Sequence, residues 1–272
     1  MAGTLHVVGT PIGNLGDLTE RARTVLASVG LVACEDTRRT GRLLAHLGIA
    51  VPMRSLFAGN EAERTVEVLG ALRAGTDVAL VSDAGMPGIS DPGFPLVRAC
   101  IAEGIAVVAV PGPSAVTAAL VVSGFPMDRF VFEGFLPRAG AARRERLAAL
   151  AHEERTTVLF ESPRRTPALL EVIARTCGDR RVALARELTK LHEEVLRGRA
   201  SEVLASLGGA EPRGEVVVVV EGAAPVAADL ATLVAEARAL VAKGIRKREA
   251  AAIVARGTGI GAGDVYAALL DG

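Results

Sequence analysis

SDAGMPGISDPG, residues 82–93, follows directly on the apolar run DVALV (77–81) and packs two prolines, three glycines and two aspartates into twelve positions. A simple turn needs only one or two such residues. The second half has a local explanation: Asp91 or Ser90 caps the next helix, Pro92 suits its first turn and Gly104 ends it. That leaves SDAGMPG at the C-terminal end of a predicted strand, where open α/β sheets bind ligands. Glycines let a ligand approach the backbone, and Pro87 stiffens the loop so that less entropy is lost on binding. Asp83 is available to a ligand amine or hydroxyl, and equally to a local Asx turn.

Working outward, short apolar runs alternate with longer amphipathic ones. Strands are predicted at 5–8, 31–34, 77–81, 106–110, 130–135, 156–160, 181–185 and 215–220. Helices are predicted at 19–29, 37–47, 60–74, 92–103, 114–123, 141–152, 165–176 and 200–207. Strands apolar on both faces and alternating with helices predict an α/β fold with parallel or mixed sheets. A break near 111–114 gives two halves of similar size, and after Gly222 the pattern is helical alone. The expected division is an α/β domain over 1–112, a second over 113–225 and a helical extension over 226–272.

Composition narrows the function classes. The 272 residues carry 31 basic and 31 acidic side chains, which excludes a global polyanion-binding field but not local basic patches. Cys34, Cys100 and Cys177 are far apart and odd in number, which argues against a disulfide scaffold and fits a reducing, cytoplasmic setting. The start MAGTLHVVGT lacks the pattern of a signal peptide. Residues 104–127 run without a charge, yet PGP (111–113) sits in their middle, so they read as strand, turn and helix rather than a membrane span.

Two further loops share the design of the first. GTPIGNLG (9–16) is a poor dinucleotide fingerprint, because Pro11 stands where the second glycine belongs. PGPS (111–114) is a strand, a rigid turn and a helix N-terminus near Ser114. Polar clusters follow other strands: CEDTRRT (34–40), FESPRRT (160–166) and RELTKLHEE (186–194). Each is a solvated helix start or part of one shared cleft. The four histidines have no metal-ligand spacing, so no metal site is expected.

Taken together, GTPIGNLGDLT, EDTR, SDAGMPGISDPG, PGPSAVTAAL, GFLPR, ESPRR, RELTKLHEE and GEVVVVVEG resemble, in this order, the tetrapyrrole-methylase-like methyltransferases. Within that superfamily they are similar to the bacterial 16S ribosomal RNA cytidine 2′-O-methyltransferases. The resemblance covers 4–222 and continues through GIRKREAAAIVA (244–255) and GDVYAALL (263–270). It implies two α/β/α domains with S-adenosylmethionine in the cleft between them, a homodimer, and 16S rRNA of the small ribosomal subunit as partner. It further implies that the cofactor contacts come from Pro11, Asp83, Ala84, Gly85, Pro87, Ile89, Ser90, Pro111, Ser114, Ala115 and Phe160. Three positions depart from the family pattern: Met86 where threonine is common, Ala139 where lysine is common, and Arg164 where histidine is usual.

A ribose 2′-hydroxyl is a poor acid, so a base or an alkoxide-stabilising cation is expected beside it. Candidates are Glu187 as base with Lys190 or Arg186 as stabiliser, and Glu35, Asp36 and Glu161 as rival bases. Basic residues cluster locally, with seven arginines against four glutamates over 138–165. The RNA-binding candidates are Arg38, Arg138, Arg143, Arg144, Arg164, Arg165, Arg246, Lys247 and Arg248. Arg38 and Arg165 are alternatively ties between the lobes. With no Trp and one Tyr, a stacking platform for bases is not expected. The competing functions are C-methylation of a tetrapyrrole, a more distant diphthamide-type methylation, and a non-catalytic RNA-binding role in ribosome assembly.

Overall fold

The computed structural model describes residues 1–224, 229–256 and 258–270. The chain runs β1 (Leu5–Val8), α1 (Glu20–Ser28), β2 (Leu31–Cys34), α2 (Thr37–His46), β3 (Met53–Ser55), α3 (Glu61–Arg73), β4 (Val78–Val81), α4 (Phe94–Ala102) and β5 (Val107–Val110). It continues through α5 (Ala115–Ser123), β6 (Phe130–Phe135), α6 (Gly140–His152), β7 (Thr156–Glu161), α7 (Thr166–Thr176), β8 (Arg181–Arg186), β9 (Glu194–Arg199), α8 (Ala200–Ser206) and β10 (Val216–Val220). Three helices close it: α9 (Leu230–Ala242), α10 (Lys247–Ala255) and α11 (Ala262–Leu270).

The first sheet has the order β3-β2-β4-β1-β5 and every pair is parallel. Its strands β2 and β4 are apolar and buried at every position because helices cover both faces, LVAC in β2 and VALV in β4. The second sheet has the order β6-β7-β10-β8-β9, with β6 parallel to β7 and the remaining pairs antiparallel. VVVVV of β10 lies at its centre, buried on both faces. Helix α5 packs there through Val116, Ala119 and Leu120, against Val158, Ala183 and Val217. The chain therefore changes sheets at the PGP turn.

Two strands escape the sequence pattern. β3 is only three residues long. β9, EVLRGR, is an edge strand on which Val195 and Leu196 are only partly buried and Arg197 and Arg199 are exposed. One expectation about the opening loop is corrected. Helix α4 starts at Phe94, its N-cap is Gly93 at φ 131°, and Pro95 rather than Pro92 lies in the first turn. Neither Ser90 nor Asp91 caps it; the Gly93 N–H is instead satisfied by Glu61 Oε1 at 2.7 Å. Gly104 does follow the helix end, at φ 68°.

Both sheets belong to one compact unit, Met1–Glu221, and Gly222–Gly272 forms a second. The second unit is a three-helix cluster whose core is Leu233, Val234, Ala237, Ala250, Ala251, Val265 and Leu269. Among the described residues no helix is long and apolar enough to cross a membrane.

Candidate active site

Strands β4, β1 and β5 are neighbours, so the loops leaving their C-terminal ends meet. Thr10 and Gly85 form an isolated antiparallel bridge, with N–H···O distances of 2.9 and 3.1 Å. Gly9 and Gly112 touch backbone to backbone: a Cβ on Gly112 would lie 2.8 Å from the Gly9 carbonyl oxygen. The three glycine- and proline-rich loops are thus stapled to one another, and glycine is required at the contact. Gly85 itself has φ 83°.

Against this wall stands the second sheet. Ile12, Ala84, Gly85, Met86, Ile89, Ser90, Asp91, Ser114, Ala115 and Val116 face Phe135, Phe160, Glu161, Ser162, Pro163, Leu188, Gly214, Glu215, Val216 and Val217 across a cavity of about 370 Å³. That volume lies within the range of small-molecule sites, roughly 300–1,000 Å³. Phe160 is clamped edge-to-face between Phe132 and Phe135, with centroids 5.0 and 5.5 Å away.

Glu161 sits in the wall with its side chain fully buried. Its Oε1 accepts from Arg165 Nε at 2.6 Å and from the Ser162 N–H at 2.8 Å. Its Oε2 faces Arg143 Nη1 at 3.7 Å and has no hydrogen-bond partner among the described residues. Two arginines from different helical segments therefore neutralise one buried carboxylate.

The RELTK segment is a strained loop, with Glu187 at φ 51° and Thr189 at φ 67°. Lys190 Nζ lies 2.8 Å from Glu187 Oε1 and 3.1 Å from Glu215 Oε2. The Lys190 hydrogen bond holds the Glu187 carboxyl below the usual carboxylate range. Burial alone would lower Lys190, but hydrogen bonds to Glu187 and Glu215 outweigh it and raise the ammonium above its ordinary value. Gly214, at φ 81°, makes room for the Glu187 carboxylate, which a Cβ there would overlap. Gly214→Ala is accordingly expected to expel Glu187 and unseat Lys190, measured as a lower urea midpoint than wild type.

Of the expected cofactor contacts, Ala84, Gly85, Ile89, Ser90, Ser114, Ala115 and Phe160 line this cavity. Pro11 and Asp83 line a neighbouring hollow of about 220 Å³ with Arg39 and Arg42. Pro87 and Pro111 lie in the loops outside the lining of either. Arg186 and Glu187 face a separate groove with His192 and Arg213, Arg186 being paired with Glu194 at 2.6 Å. Lys190 reaches the cavity only through Glu215, and its ion pair with Glu187 makes that carboxylate a weak base. Asp36 is spent on Arg38 at 2.7 Å, which holds its carboxyl well below the usual range. Arg143 and Arg165 are taken by Glu161, so the structure joins Arg165 to its own lobe and not across to the other. Arg138, Arg144 and Arg164 are exposed and, among the described residues, have no ion-pair partner. Arg246, Lys247 and Arg248 are exposed at the start of α10. Glu215, Val216 and Val217 were missed as site residues; the only signal for them was the motif GEVVVVVEG, read as a buried strand. Among the described residues no group of His, Cys, Asp or Glu is arranged to hold a metal.

Comparison with known proteins agrees with this architecture. Residues 4–204 match the family model "Tetrapyrrole (Corrin/Porphyrin) Methylases". The ribosomal RNA small subunit methyltransferase I of Mycobacterium tuberculosis (strain CDC 1551 / Oshkosh) is 49% identical over 257 residues, covering 93% of this chain and 90% of the relative. Its namesake from Thermotoga maritima is 51% identical over 220 residues, covering 81% and 99%. The crystal structure of uroporphyrin-III C-methyltransferase from Thermus thermophilus complexed with S-adenosylhomocysteine matches with a TM-score of 0.57 at 20% identity, covering 80% of this chain and 97% of that one. That last likeness concerns the fold. The match over most of the chain, and the near-half identity to these relatives, make this chain a member of the tetrapyrrole methylase family, in its ribosomal RNA small subunit methyltransferase I branch.

Proposed function

We propose that this chain transfers a methyl group from S-adenosylmethionine to the ribose 2′-hydroxyl of a cytidine in the 16S rRNA of the small ribosomal subunit, working as a homodimer. The observation that carries the reading is the cavity walled by the three stapled loops, in a chain close to half identical to proteins named as small-subunit ribosomal RNA methyltransferases.

The residues present fit the cofactor. Apolar walls from Ile12, Val116, Phe160, Leu188 and Val217 suit an adenine ring, and Gly85 lets a ligand approach the loop backbone without meeting a bulky side chain. The loops 84–90 and 114–116, with Phe160 and Val216–Val217, would hold it. When bound, S-adenosylmethionine supplies an electrophilic methyl carbon.

This chain's own task is mostly alignment of the ribose hydroxyl with that carbon, which proximity and orientation accelerate. Phe135 at the rim shields the reacting groups from water. Lys190, fixed by Glu187 and Glu215 on one side, places a positive charge at the edge where an alkoxide would develop. Lys190→Ala is expected to slow turnover by about 100- to 1,000-fold while leaving S-adenosylhomocysteine affinity within a small factor; unchanged turnover would remove Lys190 from the mechanism. Exposed Arg138, Arg144 and Arg164 supply phosphate contacts in a folded RNA. The exposed apolar side chains of Val108 and Val121 offer surface for the second subunit.

The test is methyl transfer from labelled S-adenosylmethionine to small subunits that lack the modification, run beside a uroporphyrinogen control. Label in the subunit RNA and none in the tetrapyrrole is expected. Label in the tetrapyrrole alone would replace the proposal by the C-methyltransferase reading. No label, and no thermal shift with S-adenosylhomocysteine, would favour a non-catalytic RNA binder.

A further inference from the structure

We propose that Asp91 is the base that accepts the 2′-hydroxyl proton, an inference that rests on the cavity being the transfer site. Three carboxylates line that cavity: Asp91, Glu161 and Glu215. Glu161 is held by Arg165 at 2.6 Å and faces Arg143, and Glu215 accepts from Lys190 at 3.1 Å. Among the described residues Asp91 alone of the three has no ion-pair partner. A carboxylate already bonded to a cation is a poor proton acceptor, so the unpaired one is the strongest base in the cavity.

The loop geometry brings Asp91 there. Ser90 adopts φ 64°, and a Cβ on Gly134 of β6 would come within 2.9 Å of Ser90 Oγ. The glycine at the β6 irregularity therefore lets the 86–93 loop lie against the second sheet, with Asp91 in the cavity wall. The groups facing Asp91 are Ser82 and Asp83 after β4, and Glu35 after β2. Asp83 has other obligations: its Oδ2 lies 3.5 Å from Arg39 and its Oδ1 accepts from the Asp36 N–H at 3.1 Å. Burial raises the Asp91 carboxyl above the usual aspartate range, Asp83 adds to the rise, and the Ser82 hydroxyl partly offsets it. Glu35 is raised in the same way, first by burial and then by Asp83 and Asp91.

The step balances simply. The 2′-oxygen forms a bond to the methyl carbon as the carbon–sulfur bond breaks; that bond's electron pair stays on sulfur, leaving a neutral thioether. The 2′ proton passes to Asp91 and from there to solvent.

The experiment uses the full chain and unmodified small subunits in single-turnover transfer from about pH 5 to about pH 9, with S-adenosylhomocysteine affinity measured in parallel. Asp91→Asn is expected to lose roughly 100-fold or more in rate, to keep cofactor affinity within about twofold, and to flatten the acidic limb of the pH profile. Asp91→Glu should recover part of the rate. A second readout needs no turnover. An acid whose folded pKa is raised favours the folded state while protonated, so its contribution falls as pH rises from the ordinary aspartate value through the folded one. Asp91→Asn removes that loss, so its Tm should exceed wild type above this window and the gain should vanish below it. Wild-type rate with an intact acidic limb in Asp91→Asn would overturn the proposal. Loss of cofactor affinity in step with rate would do the same, assigning Asp91 to ligand binding. If the wild type labels no subunit RNA, the proposed function itself fails, and this inference with it.

Discussion

Gly112→Ala is expected to lower affinity for S-adenosylhomocysteine at least tenfold and to destabilise the fold by about 2 kcal/mol. For a unit of this size that is a fall in Tm of roughly 4–8 °C. The new Cβ would stand 2.8 Å from the Gly9 oxygen and 2.9 Å from its carbonyl carbon and Cα. All three are backbone atoms, so no rotamer change relieves the clash. The two loops must separate, and the wall they form together must open. The Thr10–Gly85 bridge, one residue from Gly9, would be strained with them. Gly70→Ala provides the contrast. It lies inside α3 with open space around it, and replacing a helical glycine with alanine should gain about 0.5–1 kcal/mol. Equal melting points and affinities for both variants would contradict the stapled-loop geometry.

Glu161→Ala should carry the larger stability cost, about 3 kcal/mol, because it removes the buried carboxylate of β7 that neutralises the partly exposed guanidinium groups of Arg143, from α6, and Arg165, before α7. Urea unfolding reads it as a lower midpoint at an unchanged slope. Glu161→Gln keeps an acceptor for Arg165 and should cost less. Were Glu161→Ala as stable as wild type, the carboxylate would not be what holds the arginines, and Arg143 would return to the pool of RNA contacts.

These two sites show what could be read before the structure was known and what could not. The glycine-proline loops are legible because their residues are chosen by local backbone demands, and each follows an apolar run of unmistakable strand character. Seven of the expected cofactor contacts line one cavity for that reason. Asp91 was obscured by the same local logic. A serine-aspartate-proline sequence before a helix looks like a cap, yet Gly93 takes that position and Glu61, from a distant helix, satisfies the free N–H. The partnership of Glu161 with Arg143 joins the end of strand β7 to helix α6, so no spacing rule points to it. Glu187 and Lys190 were drawn together by the motif, but Glu215, which completes their ion-pair network, immediately precedes β10 and is remote in sequence. Edge strand β9 was hidden because its sheet-edge position leaves Arg197 and Arg199 exposed among only two apolar residues, Val195 and Leu196.

The central claim is that the cavity between the three loops and the second sheet is where the methyl donor is held. A crystal structure of the full chain grown with S-adenosylhomocysteine tests it most directly. The account predicts ligand density among Ala84, Ser114, Phe160 and Val217, with Asp91 exposed to the face left open for a ribose. Density instead in the Arg39–Arg42 hollow or in the groove of Arg186 and His192 would contradict it.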